Sequence, residues 1–338
     1  MAGRVVFIGA VHEALPALEA VVQHPDAELA AVVTISEAAA AGASGVVDLA
    51  GVAAAAGVPL LRHDDVNSPA GVDAVASYRP DLLVVVGWSR LIGAELLALP
   101  THGVIGFHAS LLPRHRGRAP VNWSLIRGET ETGNTMMLLS AGVDAGLIVD
   151  QRRIPLYVDD TCATVYERVA ASGAEMLRDN LGALLRGAAA ARRQDDELAD
   201  YLPKRTAEMG VTDWDRPPME VHNWVRALTR PYPGAFTSLR GERVHLWRTE
   251  PPTITDLAGL PGEILGVDDR GVRVATRGGS VLVTHLGGVP EAGGSTGRAW
   301  AAAHGVVVGD RFDAPDPAVA RWALGEGEKP PVIVTAGA

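Results

Sequence analysis

Residues 81–108 read DLLVVVGWSRLIGAELLALPTHGVIGFH, and the order of patterns in this stretch decides the fold class. Residues 81–86 (DLLVVV) are expected to form one strand buried on both faces, because the five residues after Asp81 are all apolar. Residues 104–108 form a second, shorter run that ends at His108. Between them, residues 92–99 carry apolar side chains at helical spacing. Two buried strands joined by a helix predict a parallel βαβ unit.

The same alternation extends back to the start of the chain. It predicts strands over residues 5–8, 29–35 and 58–61, and helices over residues 14–22, 47–56 and 72–78. This order predicts an α/β fold with a Rossmann-like, doubly wound and mostly parallel sheet. Ligands of such sheets bind beyond the carboxyl ends of the strands, so the loops after Ile8, Val86 and Phe107 are expected at one edge. The first of these loops lacks the G-x-G-x-x-G fingerprint, which argues against a nicotinamide cofactor.

The second half of the chain changes character. Residues 134–140 and 147–156 are expected to pair as a strand hairpin, and residues 161–187 to form a long helix. The polar residues 192–205 are the best candidate for a linker. Beyond them, short strands separated by glycine turns predict a small antiparallel β-barrel of the OB-like type. The expected domains are a Rossmann-like domain over residues 1–200, an OB-like barrel over 201–312 and a tail over 313–338.

The composition limits the classes of function. The chain has 338 residues and a formal net charge of −10, whereas a protein that binds nucleic acid usually shows a basic face. A single cysteine, Cys162, excludes a disulfide within one chain, and no spacing of histidine, cysteine and glutamate resembles a zinc site. The apolar runs are too short to span a membrane, and the first residues lack a signal-peptide cleavage pattern. A soluble, cytoplasmic protein is expected.

His108, at the end of its strand, is the first candidate for catalysis. A carboxylate held against an imidazole raises its basicity, and Asp144, in a glycine-flanked turn, is expected at the same edge of the sheet. The residues alone leave other interpretations open, because His108 could be a packed side chain and Asp144 could cap its own turn. The nearby Arg114, Arg116 and Arg118 fit either a clamp for an anionic group or solvated loop charges.

A run of ten residues carries a specific resemblance. HASLLPRHRG at residues 108–117 resembles the H-x-S-L-L-P-x-x-R-G motif of the 10-formyltetrahydrofolate-dependent formyltransferases. The turn over residues 142–146 resembles that family's second motif, which carries its catalytic aspartate. FIGA near the start, DLLVVVGWSRLI at residues 81–92 and RPYPGAF at residues 230–236 follow in the order of the family.

The resemblance implies an enzyme that moves a formyl group from 10-formyltetrahydrofolate to a primary amine without a metal. His108 would be the general base, and Asp144 would orient its ring. The residues expected to bind the folate are Gly87, Trp88, Arg90, Leu91, Ile92, Ser140, Gly142 and Val143. The residues expected to contact the amine substrate are Gly9, Ala10, Ser110, Leu111, Leu112 and Arg116. Arg116 either contacts an anionic group of the acceptor or braces its own loop.

Two branches of this family differ in the acceptor. One formylates methionyl-tRNA, and the other formylates amino groups of small molecules, chiefly nucleotide-linked amino sugars. Residues 117–133 and 213–236 are most similar to the enzyme that formylates UDP-linked 4-amino-4-deoxyarabinose. The acidic balance favours the same branch, so a small-molecule amine is the expected acceptor and tRNA the alternative. The barrel is a candidate surface for a homodimer.

One position departs from the family pattern. The family places an asparagine two residues before the histidine, and this chain has Gly106. The family assigns that amide to holding the formyl oxygen, and loss of one such donor costs about 3 kcal/mol of transition-state stabilisation. Another donor could replace it, or the enzyme could be slow or need a more nucleophilic amine. The third alternative is a chain that transfers another group or only binds folate.

Overall fold

The computed structural model describes residues 2–253, 259–288 and 294–331. The chain divides into two compact units. The N-terminal unit comprises Met1–Pro120, Glu131–Pro155 and Tyr166–Leu202, and the C-terminal unit comprises Val121–Thr130, Leu156–Val165 and Pro203–Ala338.

The elements are numbered along the chain. The strands are β1 (Gly3–Gly9), β2 (Ala27–Thr34), β3 (Leu60–Arg62), β4 (Leu82–Val86), β5 (Val104–His108), β6 (Arg116–Gly117), β7 (Glu131–Leu138), β8 (Leu147–Pro155), β9 (Tyr201–Leu202), β10 (Ala235–Leu239), β11 (Glu242–Thr249), β12 (Ile264–Val267), β13 (Val272–Thr276), β14 (Gly279–Leu286) and β15 (Ser295–Thr296). The helices are α1 (Ala14–Gln23), α2 (Glu37–Ala40), α3 (Ala50–Ala55), α4 (Pro69–Ala76), α5 (Ala94–Ala98), α6 (Pro120–Ile126), α7 (Cys162–Leu185), α8 (Pro218–Leu228), α9 (Gly297–Ala303) and α10 (Pro317–Ala323).

The sheet of the N-terminal unit confirms the predicted Rossmann-like architecture. Its seven strands follow the order β3-β2-β1-β4-β5-β7-β8. The first five are parallel, whereas β7 and β8 run antiparallel to their neighbours. The chain moves outward from β1 to β3 and then returns to β4, so the switch point of the sheet lies between β1 and β4.

Both faces of this sheet are covered, which explains the apolar runs. Side chains of successive residues on β1 point to opposite faces. Val5 and Phe7 belong to a core cluster that includes residues of α1 and α7, and Val6 and Ile8 belong to a second cluster on the other face. A strand buried on both faces therefore needs a continuous apolar run rather than an alternating one.

The C-terminal unit contains an antiparallel sheet, as predicted. Its strands follow the order β10-β11-β14-β13-β12, and β15 pairs with β14. The helix α8 buries Val221, Trp224 and Leu228. Trp214 stacks on Phe312 with ring centroids 5.3 Å apart.

Several segments differ from the expectation. The expected tail contains α10, which buries Val319 and Trp322 and begins where Asp316 caps its first turn. The expected linker contains β9, which pairs with β6 inside the N-terminal unit. β10 is a separate strand that the sequence pattern did not identify. Within the described residues, no helix is both long and apolar enough to cross a membrane.

Candidate active site

Three parallel strands end at one level and define the edge that holds the candidate site. Gly9 of β1 pairs with Val86 of β4, and Val85 of β4 pairs with Gly106 of β5. Neighbouring strands lie about 4.8 Å apart, so the loops that follow these strands start side by side. His108 is the last residue of β5 and thus stands at this edge.

The structure brings His108 and Asp144 together, as the sequence predicted. The Nδ1 atom of His108 lies 3.5 Å from Oδ2 of Asp144, and the two side chains are 8% and 19% exposed. The Nε2 atom of His108 lies 2.7 Å from the carbonyl oxygen of His115. A carbonyl only accepts hydrogen bonds, so Nε2 must carry a hydrogen. In the neutral ring the lone pair is therefore on Nδ1 and faces Asp144.

The turn that carries Asp144 is held from two sides. Asp144 has a φ of 49°, a left-handed conformation that few residues other than glycine adopt. Its Oδ2 accepts the N–H of Gly117 at 2.8 Å. The side-chain amide of Gln194 donates to the carbonyl oxygens of Asp144 and Gly146 at 2.7 and 2.8 Å. Position 117 needs glycine, because its φ is 102° and a Cβ there would lie 2.6 Å from the carbonyl oxygen of Leu202.

Arg116, expected to contact the substrate, is buried and fully engaged inside the unit. It is 3% exposed and donates to the Oε1 of Gln194 from Nε at 3.1 Å and from Nη2 at 2.8 Å. It also donates to Asp196 at 2.7 Å and to the hydroxyl of Tyr201 at 3.1 Å. Burial alone would lower the pKa of the Arg116 guanidinium, but the hydrogen bonds with Tyr201 and Asp196 outweigh burial and raise that pKa. The geometry favours the bracing alternative over the substrate contact.

Of the residues between His108 and Arg116, Ser110 and Leu112 are buried, whereas Arg114 is exposed. Ser110 is 0% exposed, and its hydroxyl donates to the carbonyl oxygen of Arg114 at 2.8 Å. Leu112 is buried as well. Leu111 packs against Gly133, since a Cβ added at position 133 would lie 2.3 Å from Cδ2 of Leu111. Substrate contact, the role expected for these three residues from the sequence, stays a prediction.

Leu139 occupies the space beside Gly106. A Cβ on residue 106 would lie 2.5 Å from Cδ2 of Leu139 and 2.9 Å from its Cγ. Leu139 is held there by its N–H, which donates to the carbonyl oxygen of Val104 at 2.7 Å, and by contacts with Leu112 and neighbouring apolar residues. The space that a side chain at position 106 would occupy is thus filled by Leu139, which directly follows β7.

The loop after β4 carries five of the residues that were expected to bind the folate. Its first residue, Gly87, has a φ of 61° and lies against Val11. The indole N–H of Trp88 is buried and has no hydrogen-bond partner among the described residues. Leu91 is 61% exposed, while Ile92 is buried in the core.

The remaining residues expected to bind the folate are exposed; they are Arg90, Ser140, Gly142 and Val143. A buried N–H without a partner is unusual in a folded protein, and it marks Trp88 as a candidate donor of a hydrogen bond to a ligand.

The first loop presents side chains that the sequence analysis did not single out. Gly9 and Ala10 are buried. His12 and Glu13 follow them, with Nε2 of His12 3.7 Å from Oε2 of Glu13. This Oε2 has no hydrogen-bond partner among the described residues, and burial raises the pKa of the Glu13 carboxyl more than His12 lowers it. The position of His12 and Glu13 in the loop after the first strand was the one feature of the sequence that could have identified them as candidate site residues.

Gln194 and Asp200 were also missed, because their segment read as a polar linker. Their contacts span 50 and 85 residues along the chain. No local pattern in the sequence encodes contacts of this range. Within the described ranges, no group of three histidine, cysteine or acidic side chains could hold a metal ion.

Sequence similarity now decides the family. Residues 4–181 match the formyl transferase family, and residues 204–292 match the formyl transferase C-terminal domain. The chain belongs to the formyl transferase family. It is 39% identical over 289 residues to the methionyl-tRNA formyltransferase of Geobacter sulfurreducens. The alignment covers 85% of this chain and 90% of that protein. The protein is therefore a formyltransferase that uses 10-formyltetrahydrofolate as its formyl donor.

Solved structures share the fold of this formyltransferase. HypX from Aquifex aeolicus in complex with tetrahydrofolic acid aligns with a TM-score of 0.61 and 23% identity. The alignment covers 85% of this chain and 44% of HypX, so the chain spans less than half the length of that protein. An N-formyltransferase from Helicobacter canadensis, in complex with folinic acid and dTDP-3-aminofucose, aligns with a TM-score of 0.61 and 16% identity over 84% of this chain and 99% of that one.

Proposed function

We propose that this formyltransferase acts on a primary amine of a small molecule, such as a nucleotide-linked amino sugar. The observation that carries the proposal is the charge of the first part of the chain. Between Arg4 and Arg62 there is no lysine or arginine. The acidic residues of this stretch are Glu13, Glu19, Asp26, Glu28, Glu37 and Asp48. The loops after β1 and β2, which start at the ligand edge of the sheet, both fall within it.

Of these acidic residues, Glu13, Glu37 and Asp48 follow β1 or β2, and they disfavour a nucleic acid against these two loops. The exposed cations of the edge, Arg90, Arg114 and Arg118, lie on the loops after β4 and β5. Affinity for tRNA depends on neutralising its phosphates with lysine and arginine. An acidic loop would repel them, whereas the Glu13 carboxylate suits the hydroxyl or amino groups of a small polar acceptor. The solved structure of the Helicobacter canadensis N-formyltransferase with an amino-sugar nucleotide supports the same class of acceptor.

The proposed chemistry centres on the proton that the acceptor amine must lose. When bound, 10-formyltetrahydrofolate supplies the electrophilic formyl carbon, whose bond to the folate nitrogen must break as its bond to the acceptor amine forms. His108 would pass the proton that it takes from the amine to that leaving nitrogen. The hydrogen bond from Nε2 of His108 to His115 keeps the ring in the tautomer whose Nδ1 accepts a proton. Asp144, 3.5 Å from Nδ1, stabilises the imidazolium that forms. Trp88 and the exposed residues of the two loops on this edge would hold the folate.

A second candidate acceptor is methionyl-tRNA, because the 39% identity to the Geobacter sulfurreducens enzyme covers most of both chains. The C-terminal unit supplies the arginines that such an acceptor would need. Some of them are engaged within the unit: Arg226 is buried against the carbonyl oxygens of Tyr157 and Asp160, and Arg240 pairs with Asp310.

Parallel assays separate the two acceptors. The protein is incubated with 10-formyltetrahydrofolate and either a panel of amino-sugar nucleotides or methionyl initiator tRNA at 50 and 150 mM salt. Mass spectrometry of the acceptor and release of tetrahydrofolate are measured. We expect formylation of an amino-sugar nucleotide and none of the tRNA. Transfer to the tRNA alone would contradict the proposal, and the His108→Ala variant controls for transfer without the enzyme's base.

A further inference from the structure

The segment from residue 194 to 202 lies against the candidate active site. It follows α7 and reads as a polar linker, yet its side chains contact both loops that carry the catalytic pair. Asp196 and Tyr201 accept hydrogen bonds from Arg116, while Gln194, the first residue of the segment, contacts the Asp144 turn and Asp200, near the end of the segment, contacts His115. β9, which closes the segment, pairs in parallel with β6 directly after His115.

Gln194 uses both ends of its carboxamide. The Nε2 atom donates to the carbonyl oxygens of Asp144 and Gly146 at 2.7 and 2.8 Å. The Oε1 atom accepts two hydrogen bonds from buried Arg116, at 3.1 and 2.8 Å, and these fix the orientation of the amide. A glutamate at this position could keep the contact with Arg116, but its oxygens could not donate to the two carbonyls.

The turn that Gln194 holds needs such support. A left-handed residue other than glycine is disfavoured by about 1–2 kcal/mol, and Asp144 has a φ of 49°. This conformation brings Oδ2 of Asp144 to both Nδ1 of His108 and the N–H of Gly117. Hydrogen bonds to the carbonyl oxygens of Asp144 and Gly146 stabilise the backbone on both sides of Ala145, and so they fix the direction of the carboxylate.

Asp200 acts on the other member of the pair. Its Oδ1 accepts the backbone N–H of His115 at 2.7 Å. His115 is also left-handed, with a φ of 61°, and its carbonyl oxygen accepts the hydrogen bond from Nε2 of His108. The N–H of Arg116 donates to the carbonyl oxygen of Asp200 at 3.0 Å, so residues 115 and 116 are both bound to this one residue. The carbonyl that sets the His108 tautomer therefore depends on Asp200.

We propose that Gln194 and Asp200 are positioning residues of the transfer reaction. Gln194 orients the Asp144 carboxylate, and Asp200 holds the carbonyl group that keeps the proton of neutral His108 on Nε2. This inference rests on the proposed function of the His108–Asp144 pair. Neither residue touches a reacting atom, so their effect is expected in the rate of transfer and in the tautomer of His108 rather than in folate affinity.

The first test is kinetic. Gln194→Glu is expected to lower kcat by about ten- to hundredfold, since displacement of a catalytic group by about 1 Å has effects of this size. KM for 10-formyltetrahydrofolate should change less than threefold. Asp200→Ala is expected to act in the same way, while Asp200→Asn, which keeps an oxygen acceptor for the N–H of His115, should recover most of the rate. Arg193→Gln, an exposed neighbour outside the segment, is the matched control.

The second test does not depend on turnover. Imidazole ¹⁵N chemical shifts of protein labelled at histidine report whether Nδ1 or Nε2 of His108 carries the proton. We expect the Nε2–H form in the parent and in Asp200→Asn, and a mixture of tautomers in Asp200→Ala. If Asp200→Ala does not fold, Asp200→Glu, which displaces the carboxylate by one methylene, takes its place and should show the mixture.

The two tests separate the inference from the proposed function. Unchanged kcat in Gln194→Glu together with an unchanged tautomer in the Asp200 variants overturns the inference. A lower melting temperature with parental kcat per folded molecule overturns it too, because that is the result of a purely structural role. If the parent transfers formyl to no amine, the proposed function fails, while the tautomer measurement still decides the role of Asp200.

Discussion

Replacement of Gly106 by asparagine tests whether Leu139 has taken the place of the missing side chain. In Gly106→Asn, the new Cβ would start 2.5 Å from Cδ2, 2.9 Å from Cγ and 3.1 Å from Cδ1 of Leu139. Carbon atoms prefer separations of about 3.5–4.0 Å, so Leu139 must move by about 1 Å. Overpacking of this kind costs about 1–3 kcal/mol, and removal of a glycine from a strand returns about 0.5–1 kcal/mol. The expected loss of unfolding free energy therefore lies within about 0–2.5 kcal/mol, with a midpoint near 1 kcal/mol.

The double-mutant cycle with Leu139→Ala makes the prediction specific. Leu139→Ala alone should destabilise by about 2 kcal/mol, the lower end for leucine, because this side chain is only half-buried. In Gly106→Asn/Leu139→Ala the asparagine enters the vacated space, so the total loss should be smaller than the sum by about 1–2 kcal/mol. Urea denaturation followed by circular dichroism measures all four proteins. Gly266→Asn is the matched control, since a Cβ there meets nothing within 4 Å.

The same four proteins also test the catalytic side of this reasoning. An amide that reaches the formyl oxygen should raise kcat, by up to about 10²-fold, only when Leu139 has been removed. Additive stabilities in the double-mutant cycle would refute the view that Leu139 fills the site. If the double variant folds but its kcat does not rise, an amide at position 106 does not stabilise the formyl oxygen in this enzyme.

Three further predictions follow from the other contacts. Asp144→Asn should lower kcat by about 10²–10⁴-fold with folate affinity unchanged, by steady-state kinetics and fluorescence titration; a parental rate would remove Asp144 from the mechanism. Trp88→Phe removes the buried indole N–H, which has no hydrogen-bond partner among the described residues and would be free to donate to the folate. This change should weaken folate binding by about tenfold in calorimetry, and equal affinity would contradict the expected contact. Burial lowers the pKa of His222, so the unfolded chain binds more protons below about pH 6.5, and stability should fall on acidification; His222→Gln should flatten this dependence in urea denaturation from pH 5 to 8.

The sequence was sufficient to predict the elements whose burial is determined locally. β5 is a continuous apolar run between Gly103 and the His108 side chain, and its observed bounds match the prediction. The expected helix over residues 14–22 is also observed, as α1 (Ala14–Gln23), because its apolar residues recur at helical spacing. His108 and Asp144 do meet, as predicted, but the rule that ligand-binding loops share one edge of a parallel sheet does not explain the contact. β7 runs antiparallel to β5, and its last residue, Leu138, pairs with Ile105, so the turn that carries Asp144 starts near the opposite edge and reaches back to His108.

Contacts between distant segments could not be read in this way. Arg116 sits in a basic, glycine-containing loop and gave no sign of being 3% exposed, because its partners lie about 80 residues further along the chain. The contact between Gly106, inside β5, and Leu139, directly after β7, likewise depends on tertiary packing. No spacing in the sequence encodes this contact. Part of the expected tail forms α10, and this helix buries Val319 and Trp322 within the C-terminal unit. The composition of the segment did not predict this burial.

The environment of Gly106 also determines how the rate should depend on the acceptor. An apolar Leu139 side chain against Gly106 offers no hydrogen bond to an oxygen on which negative charge develops. Attack by the amine must then supply more of the driving force, so the rate should rise more steeply with amine basicity in the parent than in Gly106→Asn/Leu139→Ala. The measurement is log kcat/KM for the neutral forms of methylamine, glycinamide and trifluoroethylamine at saturating 10-formyltetrahydrofolate. Parallel slopes in the two proteins would show that position 106 does not contribute to charge stabilisation in this enzyme, and a steeper slope in the parent would assign the difference to the exchanged pair.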